Sequence, residues 1–272
     1  MTGLHVERRG AGPAIVLLHG FTQTGRCWGP VSDDLARDHL VLAPDAPGHA
    51  GSTDVRADLP TTADLVADAV RPHLTDPDPE AGGEGAPVWV GYSMGGRVAL
   101  HVALAHPELV GGLVLVGAHP GIEDAAERAE RRAADERLAA DLRRDGVDAF
   151  LERWLALPLF AGLPPWARFD DERRRNTAEG LASSLELAGT GTQAPLWEAL
   201  GRLAATPVLA VAGAEDAKFA AVADRLAHAV GPTAAVRLVP GAGHAAHLER
   251  PAVFGALLRA WLHDRQRASS GQ

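Results

Sequence analysis

One cysteine, Cys27, stands in a chain of 272 residues. A single thiol excludes an internal disulfide, suits a reducing cytoplasm, and favours packing over chemistry. No apolar run approaches the about 18 residues that a membrane helix requires. Met1-Thr2-Gly3-Leu4-His5 has no basic region leading into an apolar stretch, so no secretory signal is expected. Metal-ligand patterns are missing as well. There is no His-Glu-x-x-His and no cysteine pair, and the 12 histidines are scattered, so no metal is expected. Neither a Gly-x-Gly-x-x-Gly dinucleotide fingerprint nor a Walker loop occurs. Positive charge is in deficit: 26 Lys and Arg against 35 Asp and Glu, a formal net charge of −9. That balance argues against nucleic acid and anionic membranes as partners while allowing a locally basic pocket. The rest, 46% hydrophobic and 22% charged, is long enough for one large core with an insertion.

What is present is an alternation of short apolar runs and helical patterns. Strands are expected over residues 4–9, 14–18, 39–43, 87–90, 113–116, 207–212 and 235–239, each bounded by turn residues. Helices are expected over 28–37, 61–74, 97–106, 218–230 and 251–265. The second would open at a Thr61 N-cap with Asp64 three positions on. Residues 75–86, rich in Pro, Gly and acid, read as a surface loop, and 268–272 as a disordered tail. Between 122 and 205 no strand is convincing; the pattern is helical, broken by Pro158, Gly162, Pro164-Pro165, Gly189 and Gly191. Strand–helix alternation predicts an α/β fold with a mostly parallel doubly wound sheet. Residues 1–119 and 206–272 would form its core. Residues 120–205 would be a helical cap over the carboxyl ends of the strands, where open sheets bind ligands.

The chemistry centres on Gly91-Tyr92-Ser93-Met94-Gly95-Gly96, which follows one apolar strand and opens a helix. Gly-x-Ser-x-Gly at that junction is the nucleophile elbow of α/β-hydrolases: a turn so tight strains the serine and leaves no room for Cβ atoms at 91 and 95. The helix N-terminus behind it presents unpaired N–H groups to developing negative charge. One oxyanion donor would be the Met94 N–H and the other the Phe21 N–H, in the turn His19-Gly20-Phe21-Thr22 after the second strand. A plain turn there would explain Gly20 and leave His19 unaccounted for. Gly213-Ala214-Glu215-Asp216 and Pro240-Gly241-Ala242-Gly243-His244 follow the last two strands, giving the order serine, acid, histidine. Asp216 would orient His244, and His244 would activate Ser93. Glu215 is the rival acid, and His247 is expected at the surface or just behind the site. Asp45-Ala46-Pro47-Gly48-His49-Ala50-Gly51-Ser52 resembles a loop common in the superfamily, with Ala50 where glycine is usual, and reads as a structural turn.

A closer resemblance spans the whole chain. Gly91 to Arg97, His119-Pro120-Gly121, Glu127-Arg128-Ala129-Glu130-Arg131 with Asp135, Phe150 to Trp154 with Pro158-Leu159-Phe160, Gly180-Leu181-Ala182, Gly189 to Gln193, Gly213 to Phe219, and Gly243-His244 with His247-Leu248-Glu249 are similar to the 2-succinyl-6-hydroxy-2,4-cyclohexadiene-1-carboxylate (SHCHC) synthases of menaquinone biosynthesis. The resemblance implies a lyase that abstracts a ring proton and eliminates pyruvate, with no metal or organic cofactor. Its small-molecule substrate would be a polycarboxylate bearing three carboxylates, which planar two-pronged guanidinium groups suit. The family positions fall on Tyr92, Arg97, Arg131, Trp154 and, within Arg173-Arg174-Arg175, most naturally on Arg173. From spacing alone, Arg131 could pair with Glu127 on a solvated helix face, Arg97 would lie at the pocket mouth, and Trp154 could pack the cap. A serine hydrolase, either a carboxylesterase or a carbon–carbon bond hydrolase of a small anionic substrate, is the alternative the same triad allows.

Overall fold

The apolar runs resolve, in the computed structural model, into one seven-stranded sheet. Its strands are β1 (Val6–Arg9), β2 (Ala14–Leu18), β3 (Leu40–Pro44), β4 (Val88–Tyr92), β5 (Gly112–Val116), β6 (Val208–Gly213) and β7 (Ala234–Val239), in the order β1-β3-β2-β4-β5-β6-β7. The structure describes residues 3–74 and 85–270; the surface loop expected over 75–86 therefore falls mostly outside the described residues. Only β1 runs antiparallel, at the edge beside β3; every other pairing is parallel. β3, β4, β5 and β6 are buried throughout, as parallel strands covered on both faces must be.

Alternate residues of each strand feed two cores. Val16, Leu18, Leu42, Trp89, Leu113 and Ala210 face α2 (Leu59–Val70), α3 (Met94–Ala105) and α7 (Ala217–Val230). Ile15, Leu17, Val41, Val90, Val114 and Val211 face α1 (Gly29–Leu35), α8 (Ala246–Glu249) and α9 (Pro251–Ser270). Helix ends differ from expectation at several places, among them the start of α2 and the end of α9. α2 begins at Leu59 under an Asp58 cap, whose side chain accepts the Thr61 N–H at 2.9 Å. Pro60 fits the first turn, where no N–H is needed, and Asp64 bonds His106 at 2.7 Å instead of closing a capping box. α9 extends to Ser270, so residues 268–270 are helical where a tail was expected, and 271–272 lie outside the described residues.

Between β5 and β6 the chain forms α4 (Ala125–Leu155), α5 (Asp170–Arg173), α6 (Ala178–Ala188) and several 3₁₀ turns, with no strand among the described residues. α4 breaks at Gly146, whose φ of 79° lies in the left-handed region open to glycine. Ala139, Leu142, Phe150, Leu181, Ala182 and Leu185 give this insert its own small core. Its two ends are joined where the Leu196 N–H donates to the Pro120 carbonyl at 2.8 Å and Trp197 Nε1 donates to the Gly121 carbonyl at 2.9 Å. Among the described residues no helix is long and apolar enough to cross a membrane.

The parallel register sends the loops after β2, β4, β5, β6 and β7 to one edge of the sheet. The first turn of α3 is seated there without slack. A Cβ at Gly95 would lie 2.0 Å from the Leu18 carbonyl oxygen and 2.7 Å from that of His19. Gly95→Ala should therefore destabilise the fold by about 1–3 kcal/mol or more, as overpacking does. Gly255→Ala, with no atom within 4 Å of the new methyl, should be neutral or stabilising by up to about 1 kcal/mol. Urea midpoints measure both, and equal midpoints for the two variants would contradict this seating.

Candidate active site

Ser93 sits between β4 and α3 with φ 51° and ψ −107°, a conformation that a non-glycine residue holds only when its surroundings fix it. Those surroundings are the backbone packed at Gly91 and Gly95, and a hydrogen bond from the Ser93 N–H to the Val116 carbonyl at 2.8 Å. The loops after β6 and β7 bring the expected partners to it. His244 Nδ1 lies 3.0 Å from Asp216 Oδ2, and His244 Nε2 lies 3.3 Å from Ser93 Oγ. A proton on Nδ1 donates to the carboxylate and leaves Nε2 to accept from the serine hydroxyl. Asp216 also caps α7 by accepting the Phe219 N–H at 3.2 Å. Burial pushes the Asp216 carboxyl up, but the hydrogen bonds from His244 and the Phe219 N–H, with the charges of His244 and Lys218, outweigh it and hold it below its ordinary value. Glu215 is exposed, and the carboxylate hydrogen-bonded to His244 is that of Asp216.

The turn after β2 is shaped by residues outside the pocket. His19 is buried and donates from Nδ1 to the Gly20 carbonyl at 2.9 Å while Nε2 accepts the Ala46 N–H at 3.0 Å. Burial pulls its pKa down to about 4, so it is a neutral latch between two loops, which explains the histidine that a bare turn could not. Asp45 accepts from the N–H groups of Gly25 at 2.8 Å and Gly51 at 3.0 Å, and Ala50 holds a φ of 35° where glycine would be at ease. The loop over 45–52 is thus the structural turn expected. Phe21 and Met94 both line the pocket, and neither backbone N–H has an acceptor among the described residues. His247, expected at the surface or behind the site, is buried behind it, with its ring 4.4 Å from Tyr92 and 4.6 Å from Trp28.

A cavity of about 600 Å³ opens above Ser93 between the sheet edge and the insert. Tyr92, Arg97, Arg131, Trp154 and Arg173 all line it, so the structure gathers every substrate-contact candidate read from the sequence. Arg97 is a correction in detail. It is 7% exposed and stands in the pocket wall rather than at its mouth, donating to the Ala188 carbonyl at 2.8 Å. Burial lowers its pKa to about 10, with the Arg131 charge acting in the same direction, and it stays charged. Arg131 does not pair with Glu127. Its Nε donates to Asp135 Oδ1 at 2.8 Å, and Asp135, 1% exposed, also accepts the Gly191 N–H at 3.2 Å. Arg173 is the buried member of its triplet, donating from Nε to the Arg168 carbonyl at 2.6 Å and from Nη1 to the Thr22 hydroxyl. Arg174 and Arg175 instead pair with Asp148 and Glu172. Trp154 lines the pocket and packs among Phe21, Phe150 and Phe160, leaving its buried Nε1 unpaired among the described residues.

Several contributors carry no sequence signal of their own. Asn176 accepts the Ala50 N–H at 2.9 Å and donates to the Thr22 carbonyl at 2.7 Å, stapling the insert to two core loops. Gln23 accepts the Gly20 N–H at 2.9 Å. Lys218 adds a fourth cation to the cavity wall. Among the described residues no group of three or more His, Cys, Asp or Glu side chains is placed to hold a metal ion.

Residues 15–257 match the model of the alpha/beta hydrolase family. Over 251 residues the chain is 35% identical to the 2-succinyl-6-hydroxy-2,4-cyclohexadiene-1-carboxylate synthase of Salmonella heidelberg (strain SL476), covering 91% of this chain and 93% of that one. It is 33% identical over 250 residues to the synthase of the same name from Enterobacter sp. (strain 638), covering 90% of each. Among solved structures, MenH from S. aureus superposes with a TM-score of 0.85 at 27% identity, over 98% of this chain and 100% of that one. A thermophilic esterase from Thermogutta terrifontis, solved with malate bound, superposes with a TM-score of 0.80 over 96% of this chain and 93% of that one; at 24% identity it bears on the fold alone.

The buried histidines around the site set a pH limit on stability. Burial holds His19 at about 4, and His49 and His247 at about 3, against an unfolded value near 6.5. Below that unfolded value the unfolded chain takes up protons that the folded one refuses. Stability is therefore full above about pH 6.5 and falls as pH drops toward the folded values. By pH 5 each histidine costs up to about 2 kcal/mol. Urea midpoints should fall clearly between pH 7 and pH 5, and His247→Phe, whose ring suits the Trp28–Tyr92–Phe254 cage, should lose less. An equal loss in the variant would contradict a neutral His247.

Proposed function

We propose that this chain, which belongs to the α/β-hydrolase family and within it to the SHCHC synthases, is a carbon–oxygen lyase of menaquinone biosynthesis. It abstracts a ring proton from 2-succinyl-5-enolpyruvyl-6-hydroxy-3-cyclohexene-1-carboxylate and eliminates pyruvate to give SHCHC. One observation beyond family membership supports this most: Arg97, Arg131 and Arg173 converge with Ser93 on one cavity, although the chain as a whole carries a net charge of −9. A simple ester pocket needs no such concentration of cations, whereas a tricarboxylate repelled by the protein's overall charge does. The core (1–119 and 206–272) supplies the triad, Tyr92 and Arg97. The insert over 120–205 acts as the cap and supplies Arg131, Trp154 and Arg173.

In this scheme His244 accepts the Ser93 hydroxyl proton, with Asp216 fixing the imidazole tautomer, and Ser93 Oγ takes the ring proton beside the succinyl ketone. Negative charge then develops on the ketone oxygen, where the Phe21 and Met94 N–H groups stabilise it. The electron pair moves through the ring double bond and breaks the bond to the enolpyruvyl oxygen. The departing enolpyruvate recovers the abstracted proton and becomes pyruvate, so no water is consumed and no acyl-enzyme forms. The arginine forks hold carboxylates in fixed positions during these shifts. Cofactors take no part in the scheme.

Incubation with the cyclohexene intermediate should release pyruvate and form the diene. Ser93→Ala, His244→Ala and Asp216→Asn should each slow turnover by about 10²–10⁴, because the three act as a unit. Rapid cleavage of simple aryl esters with a burst, and no pyruvate, would establish the hydrolase reading instead.

A second measurement addresses the arginines. Arg131→Ala and Arg173→Ala should lower kcat/KM by about tenfold or more in a folded protein, since each leaves a desolvated carboxylate unpaired. Lysine at either position should restore only part of it, keeping charge and losing the fork. Arg128, whose guanidinium is tied to the Ile122 and Glu123 carbonyls, should tolerate alanine with little kinetic effect. Equal effects at 128, 131 and 173 would remove the support for a polycarboxylate.

A further inference from the structure

Of the 26 Lys and Arg residues, a single one is lysine, and it is Lys218. It lies two residues past Asp216 in the first turn of α7 and lines the cavity. The three pocket arginines each give donors to the chain: Arg97 to Ala188, Arg131 to Asp135, Arg173 to Arg168 and Thr22. Lys218 is exposed and, among the described residues, makes neither a hydrogen bond nor an ion pair. Its ammonium is a compact, strongly hydrated point charge, unlike a guanidinium fork.

His119 lines the same cavity from the loop after β5, the strand next to β6 in the sheet. Its Nδ1 accepts the Gly121 N–H at 3.0 Å, which places the ring proton on Nε2. The Trp197 ring stands perpendicular to it at 5.7 Å. Burial, with Lys218 as the foremost charge acting on it, keeps this imidazole neutral, its pKa near 4. Nε2–H is thus a fixed neutral donor with no acceptor among the described residues. The triad uses neither residue, and both follow strand ends rather than belonging to the insert helices that carry Arg131 and Arg173.

We infer that His119 and Lys218 form a separate subsite for the carboxylate of the departing enolpyruvyl group, an inference that rests on the lyase reading above. Two of the substrate's carboxylates stay on the product and one leaves. The buried Arg97 and Arg173 forks suit carboxylates that must be held while the ring rearranges. A solvent-facing ammonium beside one N–H donor suits the one that must be released. Elimination also concentrates negative charge on the departing enolate, and a cation and an N–H placed at that end favour the charged arrangement.

The test is inhibition of the intact enzyme by its two products separately. Lys218→Gln and His119→Phe, which keeps a ring against Trp197, should each weaken inhibition by pyruvate by about tenfold or more, as loss of a hydrogen bond to a charged group does. Inhibition by the cyclohexadiene product should change by less than about twofold, and Lys218→Arg should recover most of the pyruvate affinity. Arg173→Ala should show the reverse pattern. Unchanged pyruvate inhibition in Lys218→Gln, or equal weakening toward both products, would overturn the subsite. If the unmodified protein releases no pyruvate from the intermediate, the lyase reading fails on its own. Calorimetric titration of pyruvate into unmodified and Lys218→Gln protein still reads the subsite then, and equal affinities would overturn it.

Discussion

The strained turn at Ser93 is the constraint on which the other features depend. A serine with φ 51° at the end of a buried parallel strand survives only where the backbone around it cannot relax. Gly91 and Gly95 allow main-chain contacts that any side chain would break, and the Val116 carbonyl on the neighbouring strand ties down the serine N–H. The cost of the conformation is met by the packing of β4 between β2 and β5. Its return is positional: the hydroxyl points out of the sheet edge, the first N–H groups of α3 lie behind it, and the loops after β6 and β7 reach it.

Electrostatics organises the rest of the pocket. Burying the Arg97 and Arg173 guanidinium groups in an acidic protein, with the more exposed Arg131 beside them, is unfavourable unless they have partners. The chain supplies them sparingly. Carbonyls of Ala188 and Arg168, the Thr22 hydroxyl and the buried Asp135 take some donors from each arginine, enough to orient it, without neutralising all three. Arg97 and Arg173 remain buried cations with no carboxylate bonded to them, which is the arrangement a bound anion completes. Asp135 has a second duty, since it also holds the Gly189–Gly191 turn against α4. His19, His49 and His247, by contrast, are kept uncharged by burial where they pack, so they add no positive charge around the pocket near neutrality.

Much of this is legible in the residue order, because local rules decide it. Short continuous apolar runs bounded by turn residues fix the strands, their alternation with helices fixes a parallel sheet, and Gly-x-Ser-x-Gly fixes the elbow. Since every parallel strand ends on the same edge, loop position alone is enough to bring Asp216 and His244 to Ser93. The second helix takes Asp58 rather than Thr61 as its cap because Pro60 suits the first helical turn.

Side-chain direction inside the insert is different in kind. Three consecutive arginines carry no local sign of which one turns inward; Arg173 does so because Asn176 staples that turn to Thr22 and Ala50, residues more than a hundred positions away. Arg131 met Asp135 rather than Glu127 because Asp135 is buried by the packing of α4 on the Gly189–Gly191 turn, which no i, i+4 rule contains. His19 reads as an unexplained residue until the loop carrying Ala46 folds over it. Lys218 and His119 come together only because β5 and β6 are neighbours. The sequence determined the sheet, the elbow and the meeting of Ser93, Asp216 and His244 through local pattern and chain order. The tertiary structure alone decided which cations face the cavity, because that follows from contacts between segments far apart in the chain.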